Sequence, residues 1–336
     1  MERKPVLCIE NLTAGYKKAR GVKPVIKNIS FEIYGSELAC LAGANGIGKS
    51  TLLKTASGLL SKLGGEITLM NRTLSSYPRN ELARLLSIVL TGKVPVVNLK
   101  AGEVIAMGRY PYTNWLGTLS ESDRKKIMES ITITGTSGFL DQPIHELSDG
   151  QLQKIMIARA LAQDSEIILL DEPTAHLDLV NKITVMKLLK DLSVKTGKAV
   201  LIATHELELA LQVSDRLLLL KNNGALLSGT PEDLVLNGSF GAFIDSEDVT
   251  FDPGSGRFFP SREEGKKIGL VAEGSLAFWT RNALERNNYS ITDKDFSVTV
   301  TAETGDGGFQ WKIGHPNGTE FVHTIGELLE KLKKIF

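Results

Sequence analysis

Residues 43–51, "GANGIGKST", combine glycines, a lysine and two hydroxyl side chains in the spacing of a P-loop. Glycines let the backbone N–H groups of such a loop turn toward phosphate oxygens, which the N-terminus of a following helix also attracts. Lys49 would place its charge on the β- and γ-phosphates, and the Ser50 hydroxyl would face Mg²⁺. A glycine-rich turn with an incidental lysine is the simpler alternative. The apolar stretch before the motif and the helical pattern after it favour a nucleotide site.

The stretch "IILLDEP" places two adjacent carboxylates, Asp171 and Glu172, at the end of an apolar run. A short run of this kind between helical patterns predicts a buried parallel strand. Asp171 would then reach a metal near the P-loop, and Glu172 would polarise a water molecule. An acidic pair at a strand end is more often a solvated turn, but the P-loop upstream favours a nucleotide site. Kinases, GTPases and recombination-type ATPases share these features; the lack of an N-K-x-D motif disfavours a GTPase.

The segment "LSDGQLQKIMIARAL" predicts a helix that begins beside Ser148. Ser148 and Gln151 fit a capping box, and the apolar residues that follow give the helix a face to bury. An exposed helix N-terminus can also hold an anion, here through the Ser148 hydroxyl and the N–H of Gly150. His205 follows another apolar run, "AVLIA". A histidine at a strand end is, by itself, more often structural than catalytic.

Short apolar runs alternate with helical segments around these motifs. "SEIILLDEP" and "AVLIATHE" predict parallel strands buried on both faces, and "ELACLAG" predicts a buried strand that leads into the glycine-rich turn. "PVLCIENL", "ISFEIYG" and "GEITLM" predict further strands. Residues 101–165 contain several helical stretches and no strong strand, as a helical insertion would. The pattern therefore predicts α/β layering with crossover helices.

The character of the sequence changes after about residue 240. "LNGSFGAFIDSED" is small and polar and predicts a linker, and "DVTFD" and "RFFP" predict a hairpin. A helix is expected with one apolar face formed by Leu276, Trp279, Ala283 and Leu284. A final helix, capped by Thr324 and Glu327, would bury Leu328, Leu329, Leu332 and Ile335. We predict a small α+β domain over residues 245–336, and nothing in it indicates a chemistry.

Composition excludes several classes of protein. The 336 residues carry 39 Lys and Arg against 39 Asp and Glu, so no net field draws the chain to nucleic acid. Cys8 and Cys40 lie in apolar runs without metal-ligand or redox spacing, which predicts reduced core thiols in a cytosolic protein. The charged N-terminus does not fit a signal peptide, and the apolar run at 217–220 is too short for a membrane span. A soluble protein that can dock on a membrane protein is expected.

Taken in order, "GANGIGKST", "LSDGQ", "IILLDEPTAHLD" and "LIATHE" resemble the motifs of the ATP-binding subunits of ABC transporters, over about residues 5–235. The resemblance implies a P-loop ATPase cassette over residues 1–240. Such a cassette has a parallel-core sheet, an antiparallel β portion and a helical subdomain, here near residues 92–160. It implies ATP and Mg²⁺ as cofactors. It also implies two copies that close face to face, with each ATP between the P-loop of one copy and the signature helix of the other.

The same resemblance implies roles for single residues. Glu172 is the implied general base, His205 contacts the γ-phosphate and orients the attacking water, and Lys49 stabilises the developing charge. Tyr16 would stack on adenine, with plain packing as its alternative, and Asp178 would touch the opposite copy. The implied ligands of ATP are Tyr16, Gly43, Asn45, Gly46, Gly48, Lys49, Ser50 and Thr51; those of the partner's ATP are Ser148, Asp149, Gly150 and Gln151; those of Mg²⁺ are Ser50, Asp171 and either Thr91 or a water.

Two positions depart from the family pattern. Asp149 stands where the family has the first glycine of "LSGGQ", and its carboxylate is badly placed beside a phosphate unless it points away. We expect weaker closure of the two copies. Thr91 stands where the family usually has a glutamine that ligates Mg²⁺ and senses the permease. We expect a slower ATPase or one with altered coupling.

Residues 104–123, "VIAMGRYPYTNWLGTLSESD", resemble the branch of importer ATPases that serves iron–siderophore, haem and cobalamin uptake. Tyr110, Tyr112 and Trp115 either pack the helical subdomain or anchor a permease. The implied partners are a second copy, transmembrane permease subunits and, indirectly, an exported substrate-binding protein, which would place the chain at the cytoplasmic face of the membrane. The alternatives are an ABC ATPase without a transport role and a slow regulatory ATP-binding module.

Overall fold

The computed structural model describes residues 4–18, 21–92, 99–244, 246–261, 265–305 and 308–336. Its strands, in chain order, are β1 (Pro5–Lys18), β2 (Gly21–Tyr34), β3 (Leu38–Ala42), β4 (Gly64–Leu69), β5 (Arg72–Thr73), β6 (Leu86–Val89), β7 (Ile167–Asp171), β8 (Ala199–Thr204), β9 (Arg216–Leu220), β10 (Leu226–Gly229), β11 (Val249–Asp252), β12 (Arg257–Pro260), β13 (Lys266–Val271), β14 (Tyr289–Ile291), β15 (Val298–Gly305), β16 (Gly308–His315) and β17 (Gly318–Val322). Its helices are α1 (Lys49–Ala56), α2 (Arg79–Leu85), α3 (Ala101–Ala106), α4 (Glu121–Thr134), α5 (Asp149–Ala162), α6 (Leu179–Thr196), α7 (Leu207–Val213), α8 (Pro231–Leu236), α9 (Ser239–Phe243), α10 (Gly274–Arg286) and α11 (Ile325–Ile335). The chain divides into two compact units. The first contains residues 1–245 and 252–257, and the second contains residues 246–251 and 258–336.

The core of the first unit is a six-stranded sheet in the order β10-β9-β3-β8-β7-β6. Strands β3, β7 and β8 are buried along their whole length and pair in parallel, which confirms the predicted α/β class. In the register of these pairs, Ala42 lies opposite Thr204 and Asp171 lies opposite Ala203. The carboxyl ends of the three strands therefore meet at one edge of the sheet. Their order brings the P-loop, the acidic pair and His205 to the same place.

A four-stranded antiparallel sheet, in the order β2-β1-β4-β5, lies against this core through a shared apolar cluster. Strand β1 runs on to Lys18 and is longer than the predicted strand "PVLCIENL". Register shifts between Ile9 and Leu12 and between Ala14 and Gly15 bend it on the way. This extension carries Tyr16 toward the P-loop.

Helices α3, α4 and α5 surround a separate apolar core. At the end of α5, the side-chain amide of Gln163 donates to the carbonyl oxygens of Ala83 (2.6 Å) and Leu86 (2.9 Å), which fixes that end of α5 to the sheet. Residues 93–98 of the predicted helical subdomain lie outside the described residues. The boundary at 92–160 therefore stays a prediction.

The second unit contains a five-stranded sheet in the order β14-β13-β15-β16-β17, with α10 and α11 packed on its apolar face. The predicted position of Trp279 on the buried face of α10 is wrong, because its side chain is exposed. Thr280 is buried instead, and its hydroxyl accepts a hydrogen bond of 2.8 Å from Nε1 of Trp311. Positions 276, 280 and 284 follow the four-residue spacing of one helix face. Helical periodicity, and not the aromatic character of Trp279, determines which side chains of α10 are buried.

The predicted linker after residue 235 is only partly irregular. Residues 239–243 form α9, and Phe240 is fully buried within the first unit. One large aromatic side chain is enough to hold a small, polar segment against the fold. Residue 245, where the predicted C-terminal domain begins, lies outside the described residues.

Both cysteines are free among the described residues. Burial raises the pKa of the Cys40 thiol to about 12, and burial together with Glu10 and Glu32 raises the pKa of Cys8 to about 11. Each thiol therefore stays protonated and weakly nucleophilic near neutral pH.

Candidate functional site

The phosphate-binding loop connects the end of β3 to the start of α1. Gly46 and Gly48 have backbone φ angles of 78° and 116°, in the left-handed region that favours glycine. A Cβ at Gly48 would lie 2.7 Å from Cγ1 of Val25, so this position has no room for a side chain. A Cβ at Gly43 would lie 2.9 Å from the carbonyl oxygen of Leu220. The loop therefore has a backbone path that requires its glycines.

Lys49, the first residue of α1, is 4% exposed. Its Nζ donates to the carbonyl oxygens of Gly43 (2.9 Å) and Ala44 (3.2 Å) and lies 3.8 Å from Oε1 of Glu172. Burial lowers the pKa of this ammonium group, although the carboxylates of Glu172 and Asp171 act in the opposite direction. The positive charge is held inside the loop, where phosphate oxygens would lie.

Asp171, at the end of β7, is 3% exposed and connects the loop to Thr91. The Ser50 hydroxyl donates to its Oδ1 at 2.9 Å, and the Thr91 hydroxyl donates to its Oδ2 at 3.2 Å. These are all oxygen ligands, the type that Mg²⁺ prefers. One carboxylate and two hydroxyls leave room for water and phosphate oxygens in an octahedral shell. The donor set therefore fits Mg²⁺, and it includes the position where the family usually has glutamine.

Glu172 follows Asp171 and has a φ angle of 48°, which is unusual for a residue with a side chain. Its N–H donates to the carbonyl oxygen of Ala203 (2.9 Å), which fixes the turn to the adjacent strand. Its Oε2 lies 3.4 Å from Nδ1 of His205, while Nε2 of that histidine lies 3.5 Å from Glu206. We call Gly43–Thr51, Asp171, Glu172 and His205 the phosphate-side cluster.

Tyr16 is the predicted adenine-stacking residue, and its hydroxyl lies 3.2 Å from the Thr51 hydroxyl. The side chain is 42% exposed, so part of the ring is open to solvent beside the start of α1. Asn45 is exposed in the loop that precedes α1. These positions are compatible with the predicted contacts to ATP, which stay predictions.

Residues Ser148–Gln151, here called the signature turn, begin α5. The Ser148 N–H donates to Oε1 of Gln151 (2.9 Å), and the Gln151 N–H donates to the Ser148 hydroxyl (3.3 Å), so the predicted capping box forms. Ser148 and Asp149 are exposed, and Gly150 is buried. Within the described ranges, no hydrogen bond or ion pair joins the signature turn to residues 43–51. The two predicted phosphate-contacting segments are therefore separate in one copy of the chain.

Asp178 caps the N-terminus of α6. Its Oδ1 accepts from the Asn181 N–H (2.8 Å), and its Oδ2 accepts from Nδ2 of Asn181 (3.0 Å). The next two side chains, Leu179 and Val180, are largely exposed. An exposed apolar pair beside Asp178 is suited to contact another protein surface.

A cleft of about 520 Å³ separates the first turns of α5 from the edge of the core sheet. Its walls include Asp149 and Gln153 on one side and Thr91, Asp171 and Glu172 on the other. Nε2 of Gln153 is buried and has no hydrogen-bond partner among the described residues. Sequence reasoning missed Gln153; its only signal was a polar residue inside the apolar pattern of the helix.

Residues 108–115, which include "GRYPYT", contain both buried and exposed side chains. Arg109 is buried, and it donates to Asp123 (2.8 Å) and to the carbonyl oxygen of Ala162 (2.9 Å) while its guanidinium lies 3.8 Å from the centre of the Tyr112 ring. Burial acts to raise the pKa of Asp123, but hydrogen bonds from Ser120 and Arg109 outweigh it and lower that pKa. Tyr110 and Trp115 are 62% and 92% exposed. Of the three aromatics, Tyr112 packs, and the other two are free to meet a partner.

Comparison with protein-family models gives two matches, an ABC transporter family over residues 26–175 and an iron ABC transporter C-terminal domain over residues 265–333. An uncharacterized ABC transporter ATP-binding protein of Methanocaldococcus jannaschii is 35% identical over 85% of this chain and 98% of its own. The achromobactin transport ATP-binding protein of Dickeya dadantii is 35% identical over 67% of this chain and 82% of its own. The iron(3+)-hydroxamate import ATP-binding protein of Bacillus subtilis is 32% identical over the same shares.

Solved structures give the same result. CbiO1 from Clostridium perfringens, part of the transporter complex CbiONQ, is 27% identical with a TM-score of 0.62 over 73% of this chain and 95% of its own. A metal-chelate type ABC transporter in an inward-facing conformation is 25% identical, with a TM-score of 0.61, over 77% of this chain and 96% of its own. A dimeric cassette with ADP and phosphate is 28% identical, with a TM-score of 0.58, over 67% of this chain and 98% of its own. Among the residues that the structure describes, no helix is long and apolar enough to cross a membrane.

Proposed function

This chain belongs to the ATP-binding proteins of ABC transporters, and from that premise we propose that it powers the import of a metal chelate of the iron–siderophore, haem or cobalamin class. It is an ATPase with a nucleotide-binding cassette. The observation that carries the proposal is the presence, on one chain, of a match to the cassette and a match to an iron transporter C-terminal domain. The names of the achromobactin and iron(3+)-hydroxamate relatives support the same cargo class.

In the proposed mechanism, Lys49 and the N–H groups of the glycine loop bind the phosphates of ATP, and Tyr16 stacks on the base. Ser50, Asp171 and Thr91 or a water would hold Mg²⁺, which would supply positive charge to the phosphates. Glu172 removes a proton from the attacking water, and His205, 3.4 Å from Glu172, keeps that water in line. Lys49 stabilises the negative charge that develops on the transferred phosphoryl group.

The site is proposed to be completed by a second copy. Ser148 and Asp149 are exposed at the start of α5, and we expect the Ser148 hydroxyl and the Gly150 N–H to meet the terminal phosphate of ATP held by the other copy. Asp178, beside exposed apolar residues, would contact that copy. The dimeric neighbour with ADP and phosphate supports this arrangement.

The proposed membrane partner is a permease that docks on Tyr110 of the "GRYPYT" segment and on Trp115, which lies two residues after it. Aromatic side chains are good anchors in protein interfaces. The chain would then lie at the cytoplasmic face of the membrane, with an exported binding protein delivering the cargo to the permease. The CbiO1 neighbour, a part of a transporter complex, supports a permease partner.

Uptake by the reconstituted transporter tests this function. The chain would be purified with its permease and placed in vesicles with the binding protein and, in turn, radioactive ferric siderophore, haem and cobalamin. We expect uptake that requires ATP and that stops in the Glu172→Gln variant. ATP hydrolysis without uptake of any metal chelate would contradict the importer assignment. Hydrolysis that remains very slow with the permease present would favour the alternative, a regulatory ATP-binding module. The departures from the family pattern at Thr91 and Asp149 motivate that alternative.

A further inference from the structure

Asn181 joins two segments that sequence reasoning treated separately. It lies in the first turn of α6, three residues after Asp178, and faces the second residue of α5, Gly150. A Cβ built on Gly150 would lie 2.9 Å from Oδ1 of Asn181 and 3.0 Å from its Cγ. The side-chain amide therefore rests directly on the backbone of the signature turn.

A side chain at position 150 would disturb this contact. Gly150 is part of a regular α-helix, and its φ angle is not in the left-handed region. Backbone conformation alone would accept alanine there, which is the better helix former. A Cβ at this position would displace the Asn181 amide, which is the end of a flexible side chain.

The amide is held in this position by Asp178. Both oxygens of that carboxylate accept hydrogen bonds from Asn181, one from the backbone N–H and one from Nδ2. With Nδ2 committed to Asp178, Oδ1 is the atom turned toward Gly150. Asparagine suits both neighbours: aspartate at 181 would place two carboxylates together, and alanine would leave Gly150 without its support.

The far end of α5 is fixed independently. Gln163 donates to two carbonyl oxygens of the core, and Arg109 donates to the carbonyl oxygen of Ala162. At the N-terminal end of α5, the atoms nearest to a Cβ on Gly150 belong to Asn181 of α6.

We propose that Asn181 is a positioning residue that sets the signature turn and the Asp178 loop in one common geometry. The two segments through which one copy meets the other are then presented together, and neither can shift alone. This inference rests on the proposed function, because it assigns a role in the closure of two copies. It predicts that Asn181 acts on dimer formation and not on binding of ATP to a single copy.

The test uses the full chain carrying Glu172→Gln, so that ATP is bound without turnover. Sedimentation with MgATP gives the dimer dissociation constant, and a fluorescent ATP analogue at low protein concentration gives nucleotide affinity of the monomer. Asn181→Asp should raise the dimer dissociation constant by about 10-fold or more, because a carboxylate at position 181 repels Asp178 and no longer holds the signature turn and the Asp178 loop together. Affinity of the monomer for ATP should not change. Thr184→Ala, which removes a local hydrogen bond one turn along the same exposed helix, is the matched control.

A double-mutant cycle separates positioning from simple stabilisation of α6. Gly150→Ala should weaken the dimer because the new Cβ collides with Asn181. Asn181→Ala removes the obstacle, so the double variant should dimerise better than the sum of the single effects predicts. Additive effects, or an Asn181→Asp dimer as strong as the parent, would overturn the proposal. A parent that fails to dimerise with its permease present would instead contradict the proposed function.

Discussion

The phosphate-side cluster and the signature turn differ in how they are held. The cluster comes from the ends of three adjacent parallel strands, and its groups bond across elements: Ser50 and Thr91 to Asp171, and Lys49 to the loop carbonyls. The signature turn bonds mainly within itself, through Ser148 and Gln151. The phosphate-side cluster is therefore fixed by bonds between several elements, whereas the signature turn is a helix start fixed mainly by its own capping bonds.

In the proposed mechanism, this difference divides the chemistry between two copies. Phosphate and a divalent cation would be bound by groups that the core sheet brings together. The signature turn has no bonded contact with the P-loop within the described ranges, and we propose that it contacts the nucleotide of the other copy. We therefore expect variants of the phosphate-side cluster to lose ATP binding or hydrolysis, and variants of the signature turn to lose closure of the two copies.

The largest expected effect is loss of hydrolysis in Glu172→Gln. The amide cannot take a proton from water, so phosphate release should fall about 100-fold or more while ATP still binds. Phosphate release and ATP affinity would be measured together. Glu232→Gln, at an exposed site in α8, is the control. Turnover at the parent rate would exclude Glu172 as the base.

Asp171→Asn should weaken binding of ATP in the presence of Mg²⁺. The substitution removes the charge that faces the cation and one of the acceptors for Ser50 and Thr91, so affinity should fall about 10- to 100-fold. Titration with and without Mg²⁺ measures the part that depends on the metal. Asp141→Asn, at an exposed carboxylate, should have no effect. An equal loss with and without Mg²⁺ would contradict the assignment of Asp171 to the metal.

Ser148→Ala tests the other side of the comparison. Loss of this cap should cost about 1 kcal/mol of stability and weaken the ATP-bound dimer, while ATP affinity of the monomer stays constant. Thermal unfolding and sedimentation of the Glu172→Gln dimer would be compared. Thr230→Ala removes the corresponding cap of α8, outside the site. It should lower stability to a similar degree without changing the dimer; if it weakens the dimer equally, Ser148 has only a structural role.

The smallest effect is expected at Thr91, which donates a hydrogen bond to Asp171 of the cluster and lines the cleft beside α5. Thr91→Gln restores the side chain that is usual in the family, and its longer amide can reach farther into that cleft. Hydrolysis, or its stimulation by the permease, should rise a few-fold. Steady-state ATPase assays with and without permease would measure this change. Unchanged turnover and unchanged coupling would show that Thr91 is not responsible for a slow cycle.

The amino-acid sequence predicted the fold class and most of the elements, because apolar runs that end in polar residues predict parallel strands whose tips meet. Motif order, through its resemblance to a known family, predicted roles for Asp171, Glu172 and His205, and those roles stay predictions. The predicted inward position of Trp279 is wrong, because Thr280 has the position on the buried face and the buried partner, Trp311. The predicted linker contains the boundary between the two units, but its polar composition concealed α9 and the anchor Phe240.

Sequence alone predicted which groups contact phosphate, since glycine spacing, helix caps and strand ends are local features, and the family resemblance predicted that two phosphate-contacting segments exist. Only the tertiary structure decided that Thr91 shares Asp171 with Ser50, and that Asn181 presses on Gly150. Both contacts join residues that lie far apart in the sequence and belong to different elements, so no local sequence pattern predicts them. The packing of whole helices and strands determines both contacts.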